Sequence, residues 1–103
     1  MITVIAYFKL KEEMTREDII FKFEQNTQKW SDNQDLIHIN YLIDLDRKIA
    51  GGVYLWKEKM HAEIWLGAEF KQMIKENYGE EPTFQYYETP IVVDNIADDI
   101  TKE

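Results

Sequence analysis

The sequence predicts an α+β fold of order β-α-β-β-α-β, the ferredoxin-like pattern, and two observations predict it. Stretches rich in β-branched and aromatic residues alternate in that order with two long segments of helical periodicity. Two of the strands are also apolar on both parities, so the sheet they form is covered on both faces. With 103 residues there is room for a single domain, taken here as residues 1–95, and for an acidic C-terminal tail over 96–103.

Residues 2–10 open the chain as a strand. Ile2, Val4, Ala6 and Phe8 fall on one parity, Ile5 and Tyr7 on the other. Thr15, with Asp18 three residues on, forms a capping box and starts a helix that runs to about Trp30. Its stripe holds Ile19, Ile20, Phe23, Thr27 and Trp30. The turn formers of residues 31–35 end it, and residues 36–44 make a second strand. There Ile37, Ile39, Tyr41 and Ile43 share one side; Leu36, His38, Asn40 and Leu42 share the other. A hairpin loop over 45–48 leads back into a third strand at 50–56. One long helix is expected from Glu58 to Asn77, burying Ala62, Leu66, Phe70, Met73 and Ile74, with Gly79 as its C-terminal stop. The fourth strand is expected over 83–94, with Pro90 marking an edge or bulge, and residues 96–103 as a frayed tail.

Two helices can shield only one face of such a sheet. The apolar residues left over need a second cover, and the cheapest is another copy of the same sheet in a closed two-fold dimer. Composition narrows the partners further. Twelve basic against 20 acidic residues leave a net charge of −8, with no basic patch interleaved with aromatics, which argues against nucleic acid and anionic membranes. No cysteine is present, which rules out disulfides, thiolate nucleophiles and Cys-ligated metals and fits a reducing cytoplasm. The apolar N-terminus lacks a basic region and a cleavage site, so it reads as a strand rather than a signal peptide.

Several stretches resemble a known family. Residues 41–44 (Tyr-Leu-Ile-Asp) and 50–56 (Ala-Gly-Gly-Val-Tyr-Leu-Trp) look like the second and third strands of the YdhR-like mono-oxygenases. Residues 86–95 are similar to that family's C-terminal strand. The opening Met1 to Ala6, and the spacing from Trp56 through Trp65 to Phe70, resemble the wider antibiotic-biosynthesis mono-oxygenase superfamily. The resemblance implies a homodimeric α/β barrel that oxygenates a small organic molecule in a barrel pocket without metal or flavin. Some relatives degrade haem with an Asn, a Trp and a His. Here Trp65 matches the Trp, but Tyr7 stands at the Asn position and Met73 or Ile74 at the His position, so haem chemistry is disfavoured.

Cofactor-free oxygenation asks for aromatic walls and one or two polar groups that accept a proton or hold an enolate-like oxygen. His38 is the candidate base, sharing a parity with Asn40, a candidate substrate ligand; the plainer reading of His38 is an edge-strand side chain facing solvent or a partner. Tyr7 either lines the pocket or packs the dimer core. Tyr54 shares a parity with Trp56 and contacts substrate only if that parity faces the barrel interior; otherwise both are core. Trp65, on the flank of its helix, either closes a pocket or packs. His61 reads as solvated, and two histidines on separate elements make no metal site. The rivals to an enzyme are a non-catalytic dimer binding a small apolar ligand and a barrel filled by its own Tyr and Trp side chains.

Overall fold

The computed structural model describes residues 1–103. Its elements are β1 (Ile2–Lys9), α1 (Arg16–Ser31), β2 (Leu36–Asp44), β3 (Ile49–Trp56), α2 (Lys59–Trp65), α3 (Ala68–Tyr78), β4 (Thr83–Glu88), β5 (Ile91–Asp94) and β6 (Asp99–Lys102). Strands β2-β3-β1-β4 make an antiparallel sheet in that order, and β5–β6 form a separate hairpin. This is the ferredoxin-like arrangement the pattern predicts, with its helices on one face.

Local chemistry sets the ends of the elements. At the start of α1 the Thr15 N–H donates to Asp18 Oδ2 at 2.9 Å, and the Asp18 N–H donates to Thr15 Oγ1 at 3.2 Å, which completes the capping box. Helix α3 ends at Gly79, whose φ of 104° is left-handed and whose N–H donates to the Lys75 carbonyl at 2.8 Å. The single helix expected from Glu58 to Asn77 is two, because the chain becomes extended at Gly67. The apolar stripe nonetheless continues across the break through Ala62, Leu66, Phe70, Ile74 and Tyr78.

Register decides which side chains share a face. Val4, Ala6 and Phe8 of β1 lie opposite Tyr54, Gly52 and Ala50 of β3, and all turn toward the helices. Ile39, Tyr41 and Ile43 of β2 join them, as does Phe84 of β4. A bulge between Leu36 and His38 shifts the register, so Leu36 packs into the core while His38 lies on the opposite face. The strict alternation read from the sequence therefore groups Leu36 with the wrong neighbours. Ile39 packs against the helix-covered core. Trp56, with no exposed surface, stands among Trp30, Tyr54 and their neighbours, its ring centroid 6.1 Å from that of Trp30.

Two corrections concern the C-terminus. The strand expected over 83–94 stops at Glu88, because Pro90 has no N–H to continue the ladder. The chain leaves the sheet there, anchored by the Thr89 N–H to the Met1 carbonyl at 2.9 Å and by a hydroxyl–hydroxyl hydrogen bond between Thr3 and Thr89. The tail expected to fray pairs instead with β5, in the register Ile91 to Lys102 and Val93 to Ile100. Asp94 Oδ1 accepts from the N–H groups of Ile96 and Ala97 at 3.0 and 3.1 Å, which closes the turn, and Asp98 takes its left-handed position at φ 53°.

The candidate site between helix α1 and strand β2

Beside the sheet's β2 edge, the C-terminal half of α1 leaves a groove of about 370 Å³. Its walls are Thr27, Trp30 and Ser31 of α1, and the run Leu36 to Ile39 with Tyr41 of β2. That size suits a small organic ligand. Trp30 and Tyr41 also line a second space, deeper between sheet and helices, where Asn26, Tyr54, Tyr78, Phe23 and Phe70 converge. Its free volume is about 20 Å³, the room of one water molecule. The groove is thus an open vestibule, and Trp30 and Tyr41 are the partition behind it.

Polar groups on this partition are few and specific. The Tyr41 hydroxyl is buried and has no hydrogen-bond partner, an arrangement that costs stability unless a ligand or water answers it. Burial pushes the Tyr41 phenol above the ordinary tyrosine value, raises Tyr78 to about 12, and raises Tyr54 further still. The negative charge that each of these phenols would acquire adds to the cost for its neighbours, so Tyr54 and Tyr78 both respond to Tyr41. All three remain protonated at neutral pH and can donate hydrogen bonds. Asn26 completes the set, its amide donating to the Lys22 carbonyl at 3.4 Å and leaving its own oxygen unused. Of this set only Tyr41 also lines the groove, so the arrangement offers a ligand there an aromatic wall with one phenol.

The residues singled out from sequence are spread over the molecule. His38 lines the groove and is exposed there, and it makes no hydrogen bond. Asn40 shares the open face of the sheet with His38, opposite Val53, but does not line the groove. Tyr7 is on that open face too, half-buried opposite Gly51 and Thr83. Tyr54 points the other way, into the helix layer, which resolves the question its parity left open. Trp65 is 40 % exposed on α2, and its indole N–H donates to Asp35 Oδ2 at 3.1 Å. His38 and Tyr54 thus lie on the two sides of the Trp30–Tyr41 partition; Tyr7, Asn40 and Trp65 are elsewhere. His61, read as solvated, sits 3.6 Å from Asp35 with its Nδ1 buried and unpaired.

Sequence reasoning missed Trp30, Tyr41, Tyr78 and Asn26 as site residues. Trp30 and Tyr41 were visible only as members of apolar stripes, and an aromatic in a stripe carries no mark that it borders a groove. The one usable signal was that three tyrosines and an asparagine fall on core-facing positions, where each needs a partner. No cluster of three or more His, Asp or Glu side chains gathers at metal-binding distance, and no helix is long and apolar enough to cross a membrane.

Comparison with known proteins bears on the fold. No protein-family model matches the chain, and no curated protein matches it in sequence. Solved structures do. A crystal structure from Bordetella bronchiseptica named "Putative antibiotic biosynthesis monooxygenase" superposes with a TM-score of 0.66 at 14% identity, over 85% of this chain and 95% of that one. A conserved protein from Methanosarcina mazei Go1 superposes with a TM-score of 0.64 at 17% identity, over 85% of this chain and 91% of that one. At such identities the likeness is one of backbone architecture, so what the chain shares with these two proteins is the fold.

Proposed function

We propose that the chain is a cofactor-independent mono-oxygenase of the YdhR-like type, working as a cytoplasmic homodimer on a small hydroxylated aromatic substrate. The observation that carries this reading is the buried, unanswered Tyr41 hydroxyl behind a groove of ligand size. Substrate lies in the groove against Trp30, with its oxygen toward Tyr41. His38 at the mouth takes the substrate proton, giving an electron-rich anion that reacts with dioxygen. Oxidation of the ring carbon para to the hydroxyl, a CH₂ in the substrate's keto tautomer, to a carbonyl yields four electrons. One oxygen atom enters the product, the other leaves as water, and the substrate supplies every electron. No external reductant is required, which is why a site without redox groups suffices for this substrate class.

A second reading, a non-catalytic binder of small apolar ligands, is favoured by one feature. The imidazole of His38 is exposed and held by no neighbour, whereas a catalytic base is ordinarily oriented by a second group. Oxygen uptake with a panel of hydroxylated polycyclic aromatics separates the two. Uptake with water rather than peroxide as co-product, reduced about 100-fold or more in His38→Ala and about 100-fold in Tyr41→Phe, supports the enzyme. Saturable binding with no uptake supports the binder. Uptake that persists in both variants removes these residues from the site.

A further inference from the structure

Behind the groove, the small space between sheet and helices gathers the polar groups that most need a partner. Tyr54 of β3 and Tyr78 of α3 line it with only 4 % exposure each, and the buried hydroxyl of Tyr41, which also lines it, has no partner in the chain. Asn26 of α1 adds an oxygen that its own amide contact, to the Lys22 carbonyl, leaves unused. The phenols stand close enough together for a charge on Tyr41 to be felt at both Tyr54 and Tyr78. Most of the remaining wall is apolar side chain, Phe23 and Phe70 among it. On the outer side Lys22 bridges α1 and α3: its Nζ donates to Asn77 Oδ1 at 3.4 Å and stands 5.9 Å from the centroid of the Tyr78 ring.

A count of donors and acceptors identifies what fits there. The free volume of about 20 Å³ takes one water-sized molecule, and a water is retained where two to four polar groups meet it. Each phenol offers one O–H and an oxygen that can also accept, whereas the Asn26 oxygen can only accept. A water that accepts from Tyr54 and Tyr78 and donates to Asn26 and Tyr41 answers all four groups at once. Dioxygen is of similar size but a poor acceptor, so it would leave the phenols unpaired in an apolar wall, which is costly. With its oxygen answered from within, the Tyr41 hydroxyl has its proton free for the groove that Tyr41 also lines.

We propose that the inner space binds one ordered water, held by Tyr54, Tyr78 and Asn26, which donates to the Tyr41 oxygen and so makes the Tyr41 hydroxyl a fixed donor facing the α1–β2 groove. Asn26 and Tyr78 are then positioning residues: they act on a groove ligand through the water and Tyr41, without touching it. A hydroxyl whose oxygen already accepts a hydrogen bond is the stronger donor for it. Its bond to a charged oxygen is stronger again, so the groove holds the ionised form of a hydroxylated aromatic more tightly than the neutral form. The effect on the ligand rests on the groove being the ligand site; the water itself does not.

Magnetic relaxation dispersion of the solvent's deuterium and oxygen nuclei counts waters held inside a protein. The wild-type chain is expected to hold one more than Asn26→Leu, whose side chain is of similar size but offers no acceptor. In Tyr78→Phe, which keeps the ring and removes one donor, that water is expected to exchange faster. Dispersion that is unchanged in both variants overturns the inference, and Tyr78→Phe decides alone should Asn26→Leu fail to fold. The groove is read with 2-naphthol, whose fluorescence reports its ionisation. Bound 2-naphthol is expected to ionise about one pH unit lower in the wild type than in Tyr41→Phe. Asn26→Leu and Tyr78→Phe should fall between them, and Tyr87→Phe, a change at an exposed ring outside the site, should match the wild type. Ionisation in Asn26→Leu and Tyr78→Phe equal to that in the wild type overturns the positioning role. If the water is lost as expected but no variant nor the wild type binds 2-naphthol, the groove is refuted as the ligand site and the water stands.

Discussion

Strand β1 shows two environments one residue apart. Its even-numbered side chains, Val4, Ala6 and Phe8, are at most 5 % exposed beneath the helices, while Ile5 and Tyr7 on the other face are only half-buried. The residue types differ little, so the difference comes from what lies over each face. The helix-covered face is closed by aromatic packing, with Trp30 meeting Tyr54, Trp56 and Phe70 at centroid distances of 5.5 to 6.1 Å. The open face mixes apolar Ile5 and Val53 with Thr3, His38, Asn40 and Gln85, a composition that a lone chain can wet and a partner can cover. The aromatic packing therefore resides on one side of the sheet, while Leu55 is the buried side chain of the other.

The sharpest break of this contrast is a pair of truncations on β3. Trp56→Ala should cost about 3–5 kcal/mol, because it empties a fully enclosed aromatic site. Val53→Ala, three residues away on the open face, should cost about 1 kcal/mol or less within a single chain. Denaturant midpoints at low protein concentration measure both. Equal losses would show the two faces to be equally packed.

A smaller effect is expected at Gly51, where the backbones of β1 and β3 leave no room for a side chain. A Cβ there would collide with the carbonyl oxygen of Ala6 and the Cα of Tyr7 on the neighbouring strand. Gly51→Ala should destabilise by about 1–3 kcal/mol through overpacking. At Gly52 the nearest atoms are the tips of Tyr54 and Ile39 at 3.1 and 3.3 Å, side chains that can give way, so Gly52→Ala should cost less. An unchanged melting temperature in Gly51→Ala would mean that β1 and β3 separate more readily than their register suggests.

Alkaline titration probes the covered face alone. Burial raises the phenols of Tyr54, Tyr41 and Tyr78, the last to about 12. Above pH 10 the unfolded chain, whose tyrosines ionise there, binds fewer protons than the folded one. The tyrosines' contribution is therefore complete below about pH 10 and is lost as pH climbs toward 12. Urea midpoints that hold steady from pH 8 to about 9.5 and then fall are the expected result. In Tyr78→Phe the fall should be shallower, and an equally steep one would show that this phenol does not sit in a dry environment.

The fold was legible because its determinants are local and repeated. The Thr15–Asp18 box, the stripe from Ile19 to Trp30, the Gly79 stop and the both-parity strands each stand in a few adjacent letters. The bulge at Leu36–His38 was not legible, since it follows from how β2 meets β3, with Leu36 opposite Trp56 but His38 opposite Leu55, rather than from any residue in β2. That one slip moved Leu36 into the core and misassigned the faces near it. The β5–β6 hairpin was missed for a similar reason. Its residues 96–103 look like an acidic tail, and only the pairing of Val93 with Ile100 makes them a strand. The site was harder still, because Trp30 and Tyr41 border a groove through tertiary placement, while their letters match any core aromatic.

The smallest predicted effect concerns the margin of the covered face, where Trp65 was read both as a substrate contact and as packing. Asp35 accepts from the Trp65 indole at 3.1 Å, faces His61 at 3.6 Å, and through its backbone carbonyl accepts from the Lys57 N–H at 3.1 Å. It thereby ties the turn before β2 to α2. Trp65→Phe keeps most of the ring and removes the donor, so it should cost about 0.5–1 kcal/mol for one hydrogen bond near the surface. In a chain of this size that is a fall of about 2–8 °C in melting temperature. Ligand affinity should not change, since Trp65 does not line the groove. Asp35→Asn offers a comparison, because its amide oxygen can still accept from Trp65 while the charge facing His61 is gone. If Trp65→Phe left the melting temperature intact and weakened binding of the aromatic panel, Trp65 would belong to the ligand site after all.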